Sequence, residues 1–509
     1  MGVVGSGLDS YYCYLLEEVG EVNSLQVTFL SVLALYIVAG TAIALVSRKL
    51  GVRSIKEYFV AGHRLGGVLS AISYAATTYS AFMMVGLVGI AYATGVGALG
   101  FELAYLLATL LLLGIFAENV WKKAREKGWL TSSQMLSDLY NSAFLGGLVA
   151  FIYLFALLPY TSAQLIGIGS IFEGIGAGYS LGVGVGAVLV LAWIVIGGVW
   201  SIATTDLFQG LWMIIAAGSF VFWLVFFLVP SSGVNLGLIS DALTKASYTG
   251  VEPRWPIHVF LAYTIPWWFF AVTNPQVVRK LYMPADEGSL KKMIKYFGLY
   301  GFLYTVIVVF VGMVAKGLTL LGSFPDVTNR DLVTPILLTY TNPVLASVIY
   351  VSIVAAAITT SNSIVFSVGA SFIKDLVLRL KRESVARDKT IIHATTLIVI
   401  ILTSASAAIA LTRPTFIVEM SVLSSVILLP LAPVTIAAWI SPSKASSQVA
   451  SYGAIISLVL GVGLALGGAL AVGPKKALLW SPMGIPLPIW VLFLSGVVVL
   501  ITYLVTRGD

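Results

Sequence analysis

The sequence predicts an all-α membrane protein with about thirteen transmembrane helices, and three observations support this prediction. Of the 509 residues, 59% are hydrophobic and only 10% are charged, which is too little charged surface for a water-soluble domain. The apolar residues form stretches of about 20 residues, the length at which a helix crosses a bilayer core. Lysine and arginine concentrate in alternate connections between these stretches.

Each predicted span is an apolar run bounded by polar or glycine-rich residues. The spans are predicted at residues 25–47, 66–94, 98–121, 143–175, 178–200, 206–229, 257–278, 295–318, 338–373, 391–412, 415–440, 448–472 and 487–506. The longest polar segments between them are loop-sized, so we expect one membrane domain over residues 1–509. The first helix follows acidic residues rather than a basic segment, so we expect it to be retained rather than cleaved as a signal peptide.

The basic residues predict the orientation of the chain. About 22 of the 29 Lys and Arg fall in one set of alternate loops, which the positive-inside rule makes cytoplasmic. They are Arg48, Lys49, Arg53, Lys56, Arg64, Lys122, Lys123, Arg125, Lys127, Arg279, Lys280, Lys291, Lys292, Lys295, Lys374, Arg379, Lys381, Arg382, Arg387, Lys389, Lys444 and Arg507. An odd number of spans then places the N-terminus outside and the C-terminus in the cytoplasm. Topology therefore explains the basic charge, and no nucleic-acid partner is expected.

The composition argues against several classes of enzyme. The single cysteine, Cys13, cannot build a disulfide framework or a CxxC metal motif. The three histidines are widely scattered and form no haem or zinc pattern. We find no nucleophile paired with a base and no phosphate-binding loop. We therefore expect no enzymatic activity and no organic cofactor.

The candidate functional charges within the predicted spans, where charge is expensive and often functional, are Glu102, Asp206 and Glu419. Asp206 opens a span in the sequence GGVWSIATTDLFQG, where it could be a cation ligand or could cap the start of the helix. The sequence favours neither interpretation. Glu102 and Glu419 lie near the outer ends of their spans, so we expect them to be solvated at the membrane interface.

Two spans carry many small and hydroxylic residues. In SAISYAATTYSAFMMVGLVG, residues 70–89, such residues could serve close helix packing or an unwound segment whose free carbonyls bind an ion. In IVAAAITTSNSIVFSVG, residues 353–369, Ala356, Thr359 and Thr360 share one helix face. Their oxygens suit an alkali cation, although serine and threonine can also bond back to their own helix.

A third unusual span, YTIPWWFFAVTNPQVVRKLY, has Pro266 and Pro275 on either side of an aromatic cluster. Each proline removes a backbone donor, so we expect this helix to be kinked or interrupted. At mid-span, at least one of the aromatic residues is expected to line a solute site. The interrupted spans 66–94 and 257–278 each open a run of five helices. This is the pattern of an inverted-repeat transporter, with core repeats at about 66–229 and 257–440.

Four segments in order resemble the sodium/solute symporter family, which includes sodium-coupled proline, pantothenate, monocarboxylate, sugar and sialic acid carriers. The segments are SIKEYFVAGHRLG, GGVWSIATTDLFQG, TNPQVVRKLYMPAD and AAAITTSNS. The resemblance covers residues from about 54 to 440. It implies a LeuT-type fold of inverted five-helix repeats, with one extra helix before the core and two after it.

The resemblance also implies site residues. The main sodium site would use Ala76, Tyr79, Ala356, Thr359 and Thr360. A second sodium site, found in some relatives, would use Asp206, Thr359, Asn362 and Ser363, although Asn362 replaces the usual small hydroxyl residue. The solute would contact Thr78, Ser80, Gln164 and Trp267.

Together these features predict a sodium:solute symporter in the cell membrane that imports a small organic solute by alternating access. The segment SAQLIGIGSIFEG resembles the pantothenate and monocarboxylate branch, which implies a carboxylate-bearing solute. A proton-coupled carrier of the same fold is the alternative, and it would need a carboxylate at mid-membrane, for which Asp206 is the candidate. A channel or a sensor built on a transporter fold is a further alternative. The oligomeric state is left open.

Overall fold

The computed structural model describes residues 19–49, 54–378 and 388–506. Within these ranges the regular structure is helical, and the only β contact is an isolated bridge between Leu65 and Pro284. Both chain termini lie outside the described residues. So do Cys13, Arg53, Arg379, Lys381, Arg382, Arg387 and Arg507.

Seventeen helices or helix segments form the membrane part of the described chain. They are α1 (Val19–Lys49), α2 (Gly67–Thr78), α3 (Phe82–Thr94), α4 (Gly97–Lys127), α5 (Ala143–Gly174), α6 (Tyr179–Ile196), α7 (Gly198–Ser231), α8 (Ile257–Trp268), α9 (Phe270–Thr273), α10 (Pro275–Lys280), α11 (Glu287–Leu320), α12 (Pro343–Val377), α13 (Asp388–Leu411), α14 (Ile417–Leu428), α15 (Leu431–Ile440), α16 (Gln448–Val472) and α17 (Leu487–Val505). Shorter helices at Ile55–Val60, Ser132–Leu139, Leu236–Lys245 and Val333–Leu338 lie in the connections.

The number of spans can be compared with the expected thirteen. In the described residues, 10 helices are long and apolar enough to cross a membrane, or 12 if the bent pairs α2–α3 and α14–α15 each count as one span. The remaining expected span is residues 257–278, where the structure has the three short helices α8, α9 and α10. These pieces are too short to count singly, so the all-helical membrane fold is confirmed but the count of thirteen is not.

The two sequence-predicted interruptions are present. The chain between α2 and α3 bends by 51°, and Tyr79 there has an extended backbone with φ −90° and ψ 99°. The second interruption falls at Phe269 and again at Asn274, just before Pro275 starts α10. A third bend of 50°, between α14 and α15, was not predicted, although Pro430 lies in it.

The boundary between α6 and α7 differs from the sequence prediction. It falls at Gly198, whose φ of +57° is a left-handed conformation that glycine adopts without strain. A side chain at this position would also come within 2.5 Å of the Tyr58 ring. Asp206 is therefore in the third turn of α7 rather than at its start, and its interpretation as a helix cap is wrong.

Helix α12 is the centre of the bundle. In its apolar stretch 83% of the residues are buried, against 22% in α17. Helices α2, α5, α7 and α10 pack around α12. The polar residues of α12 therefore face other helices rather than lipid, which is where polar groups in a span are expected to have a function.

Helix α11 supports the interrupted span through close backbone contact. A Cβ added at Gly312 would lie 2.4 Å from the carbonyl oxygen of Val88 and 2.8 Å from Cβ of Ala91, both in α3. Such separations are too short for real atoms, so the two helices could not keep their present distance. Small residues that let backbones approach are a common device of membrane helix packing.

We predict that Gly312→Ala lowers thermal stability, because overpacking a close contact costs about 1–3 kcal/mol and a backbone oxygen cannot rotate away. The matched control is Gly114→Ala in α4, where an added Cβ meets nothing within 4 Å. There alanine should be neutral or stabilising by up to about 1 kcal/mol. Thermal unfolding of both variants in the same detergent measures the difference. Equal melting temperatures would contradict the packing argument.

Candidate functional site

The end of α2 meets the middle of α12 through oxygen atoms. The Thr359 hydroxyl donates to the Ala76 carbonyl at 2.5 Å. The Thr360 hydroxyl lies 3.1 Å from the Thr77 carbonyl and 3.4 Å from that of Ala76. These side chains are fully buried. The break in the helix explains why the carbonyls are available, because the last turn of a helix has no amide partners of its own.

The other two predicted sodium ligands lie on the same two elements. Ala356 is buried in α12 one turn before Thr359 and Thr360, and Tyr79 is the residue at which α2 ends. The Tyr79 ring packs away from α12 against α11, with ring centroids 5.8 Å from Phe297. The arrangement gathers carbonyl and hydroxyl oxygens without formal charge, a donor set that a hard monovalent cation can use.

Gln164 of α5 bonds to the interrupted segment. Its side-chain oxygen accepts a hydrogen bond of 3.1 Å from the backbone N–H of Ala81. Ser80 acts at the same place, since its hydroxyl accepts from the N–H of Phe82 at 3.2 Å. Both predicted solute residues therefore stabilise the start of α3, where the helix dipole favours a negative group.

Trp267 is buried with 1% exposure among aromatic rings. Its ring lies 4.7 Å from that of Phe82 at the start of α3 and 5.2 Å from that of Tyr105 in α4. Its indole N–H and the hydroxyl of Thr78 are both buried without a hydrogen-bond partner among the described residues. Buried polar groups are normally satisfied, so these two are suited to bind a solute.

Glu102 was expected at the membrane interface, and the structure shows that this is wrong. Its side chain in α4 is fully buried, and neither carboxylate oxygen has a hydrogen-bond partner in the described part of the chain. Glu102 interacts electrostatically with Tyr79, Tyr105 and Tyr160. The sequence signal was a single acidic residue in GFELAYLL, whose depth the apolar pattern alone could not fix.

Asp206 forms an ion pair with Lys280. The Lys280 ammonium lies 2.8 Å from a carboxylate oxygen of Asp206, and the Ser73 hydroxyl donates to the same oxygen at 2.7 Å. The side chains of Lys280 and Asp206 are 3% and 1% exposed. Sequence reasoning counted Lys280 among the loop cations and missed this pairing, because the residue lies at the very end of a span.

The other members of the predicted second cation site have different partners. Thr359 bonds to Ala76, and the hydroxyl of Ser363 lies 2.8 Å from that of Thr77. The amide oxygen of Asn362 is buried and has no hydrogen-bond partner in residues 54–378 or the other described ranges. No hydrogen bond among the described residues joins Asp206 to this face of α12.

A second charged cluster holds the connection between α11 and α12 against α14. Both carboxylate oxygens of Glu419 lie 2.5 Å from the Arg330 guanidinium, and the Tyr263 hydroxyl donates to Glu419 at 2.8 Å. Glu419 is therefore paired inside the protein, not solvated at the interface as expected. The neighbouring Asp331 accepts from the N–H of Ile417, and burial raises the pKa of Asp331 to about 6.

Comparison with known proteins identifies the family of this chain. The profile of the sodium:solute symporter family matches residues 58–461. The chain is 24% identical over 416 residues to a sodium/pantothenate symporter of Haemophilus influenzae, a match that covers 80% of this chain and 83% of the relative. The sodium/pantothenate symporter of Escherichia coli is 26% identical over 407 residues, with 79% and 82% covered.

The fold is similar to that of a solved transporter. The substrate-bound, outward-open structure of a Na+-coupled sialic acid symporter matches with a TM-score of 0.76 at 16% identity, over 93% of this chain and 96% of that one. This similarity confirms the expected LeuT-type architecture. The chain therefore belongs to the sodium:solute symporter family and is a membrane transporter, not an enzyme.

Proposed function

We propose that the protein imports a small, carboxylate-bearing organic solute together with sodium by alternating access. The observation that carries this proposal is the contact between the broken end of α2 and the hydroxyl face of α12. There Thr359 and Thr360 point at the carbonyls of Ala76 and Thr77. We assign the sodium site to Ala76, Tyr79, Ala356, Thr359 and Thr360, in one transport domain with repeats at about 66–229 and 257–440.

Sodium binding would join α2 to α12, because the ion replaces two hydrogen bonds with several oxygen contacts. The same break starts α3, where Gln164 and Ser80 hold the first amides. Fixing the end of α2 therefore also fixes the segment that the solute meets. This shared segment supplies the coupling free energy between the two sites.

The carboxylate assignment has two supports. Pantothenate and proline, the solutes named for similar symporters, both carry a carboxylate. The start of α3 also offers a positive helix end beside Thr78 and Trp267, whose polar atoms have no partner in the described residues. Inverted-repeat transporters with interrupted helices use such helix ends for anionic groups of their substrates.

The driving force follows from the orientation. We propose that the basic loops face the cytoplasm, with the N-terminus outside, so sodium enters down its gradient. The membrane potential adds about 2.3 kcal/mol per charge for each 100 mV. Proton coupling is the second candidate. The buried carboxyl of Glu102, which has no hydrogen-bond partner in the described residues, favours it more than Asp206, whose charge Lys280 already neutralises. Uptake that follows a pH gradient without sodium would select this candidate.

We predict that Thr359→Ala/Thr360→Ala raises the sodium concentration for half-maximal uptake at least about tenfold, a loss of 1.4 kcal/mol, because two oxygens of the site are removed. Uptake into proteoliposomes under an inward sodium gradient, with pantothenate, proline, lactate and acetate as candidate solutes, measures this. The control is Thr403→Ala in α13, where the buried hydroxyl bonds back to Val399 of its own helix. An unchanged sodium dependence in the double variant would refute the ion site.

We predict that Trp267→Leu raises the KM for the solute about tenfold or more while the sodium dependence changes less. The indole N–H is a buried donor with no hydrogen-bond partner among the described residues, and the ring contacts Phe82 at the start of α3. The hydroxyls of the sodium site bond instead to Ala76 and Thr77. Trp490→Leu in α17 is the matched control, since its indole donates to Pro482 at the periphery of the bundle. If both variants show the same KM as the unaltered protein, Trp267 does not contact the solute.

A further inference from the structure

The ion pair between Lys280 and Asp206 uses the carboxylate that the resemblance assigned to a second sodium site. Three separate elements meet there, since Ser73 belongs to α2, Asp206 to α7 and Lys280 to α10. The Lys280 ammonium donates to both the Asp206 carboxylate and the Ser73 hydroxyl, and Ser73 in turn donates to Asp206. One oxygen of Asp206 is thus already used by an ammonium and a hydroxyl.

The charges around this pair oppose an additional cation. Asp206 contributes one negative charge, and Lys280 balances it. Arg279 is also buried, at 1% exposure, with its guanidinium 4.6 Å from the Phe366 ring centroid and interacting electrostatically with Asp206. The guanidinium nitrogens have no hydrogen-bond partner in the described residues. With the three groups in their ordinary ionised forms, the cluster carries a net positive charge before any sodium arrives, and repulsion is strong where water is excluded.

The main sodium site contrasts with this cluster. Ala76, Thr359 and Thr360 offer neutral oxygens, and no described hydrogen bond or ion pair brings a lysine or arginine to them. A cation can bind there without displacing another.

We propose that the Lys280 ammonium takes the place of a second coupling ion at Asp206, so that the protein moves one sodium ion per solute. This inference rests on the proposed sodium-coupled transport and adds its stoichiometry. The tethered ammonium keeps α2, α7 and α10 joined as a bound cation would, but it cannot dissociate into the cytoplasm. Transport of a singly charged carboxylate would then be electroneutral, and that of a zwitterion would move one positive charge.

The test is the solute gradient that a fixed sodium gradient can hold at zero net flux in proteoliposomes clamped at zero membrane potential. Pantothenate, proline, lactate and acetate are screened first, and the transported solute is used. With sodium ten times more concentrated outside than inside, the unaltered protein should hold the solute about ten times more concentrated inside than outside. A hundredfold ratio would mean two sodium ions and would overturn the proposal. If no sodium ratio holds any solute gradient, the proposed function fails instead, and the two failures are distinguishable.

Lys280→Met tests the role of the ammonium itself. It keeps the apolar stem and frees Asp206, so a second sodium ion should bind and the ratio should rise toward a hundredfold. Lys280→Met/Asp206→Asn removes both charges and should return the ratio to about tenfold. Lys291→Met, which removes an exposed lysine paired with Glu287 in α11, should behave as the unaltered protein. A tenfold ratio in Lys280→Met would overturn the assignment to Lys280.

Equilibrium binding of radioactive sodium to detergent-purified protein provides a second measurement that needs no transport. One ion per unaltered chain supports the proposal, and two ions overturn it. This count decides the question even if Lys280→Met fails to fold, because it uses the unaltered protein. Size-exclusion chromatography identifies a misfolded variant.

Discussion

Backbone hydrogen bonding inside the bilayer is the constraint on which the rest of this structure depends. Lipid offers no partners, so an interrupted helix is stable only where the protein supplies them. At the break between α2 and α3, Gln164 and Ser80 accept from the freed amides, while Thr359 and Thr360 donate to the freed carbonyls. The polar positions of α5 and α12 follow from this requirement, and so does the deep burial of α12.

The lack of polar partners in lipid also restricts charged side chains, which need partners within the protein. The described spans contain few ionised groups, and the structure neutralises Asp206 with Lys280 and Glu419 with Arg330. The first pair joins the early turns of α7 to the last residue of α10. The second joins the connection between α11 and α12 to the start of α14. Removing one member of such a buried pair costs more than the pair itself contributes, because it leaves an uncompensated charge. These pairs therefore hold the elements that they join in defined positions.

Sequence reasoning succeeded for features that are determined by residues close together in the sequence. The polar run around Ala76 was consistent with a break in the helix, and the break is present. The family resemblance, rather than the local pattern, implied that Thr359 would face it, and the two are in contact. Sequence reasoning failed where the cause was distant or conformational. The start of α7 depends on the left-handed Gly198 beside the Tyr58 ring, the depth of Glu102 depends on how α4 packs, and the partner of Asp206 is 74 residues away at Lys280. The roles assigned to the site residues come from the resemblance and stay predictions.

Helix α2 has two polar centres, one formed by neutral oxygens at its end and one by charged groups near Ser73. At its end, Ala76 and Thr77 present carbonyls that a mobile ion can bind and leave, because no formal charge traps the ion there. One turn earlier, the Ser73 hydroxyl accepts from the Lys280 ammonium and donates to the Asp206 carboxylate, a permanent pair of opposite charges. A pair of opposite charges in a low dielectric separates with difficulty, whereas ion–dipole contacts exchange readily with water. The permanent pair fixes α2 at Ser73. In the proposed transport cycle, the neutral oxygens would leave the end of α2 free to respond to sodium. A helix held firmly at one turn and reversibly at the next suits such a cycle, because ion binding can then shift the position of its end.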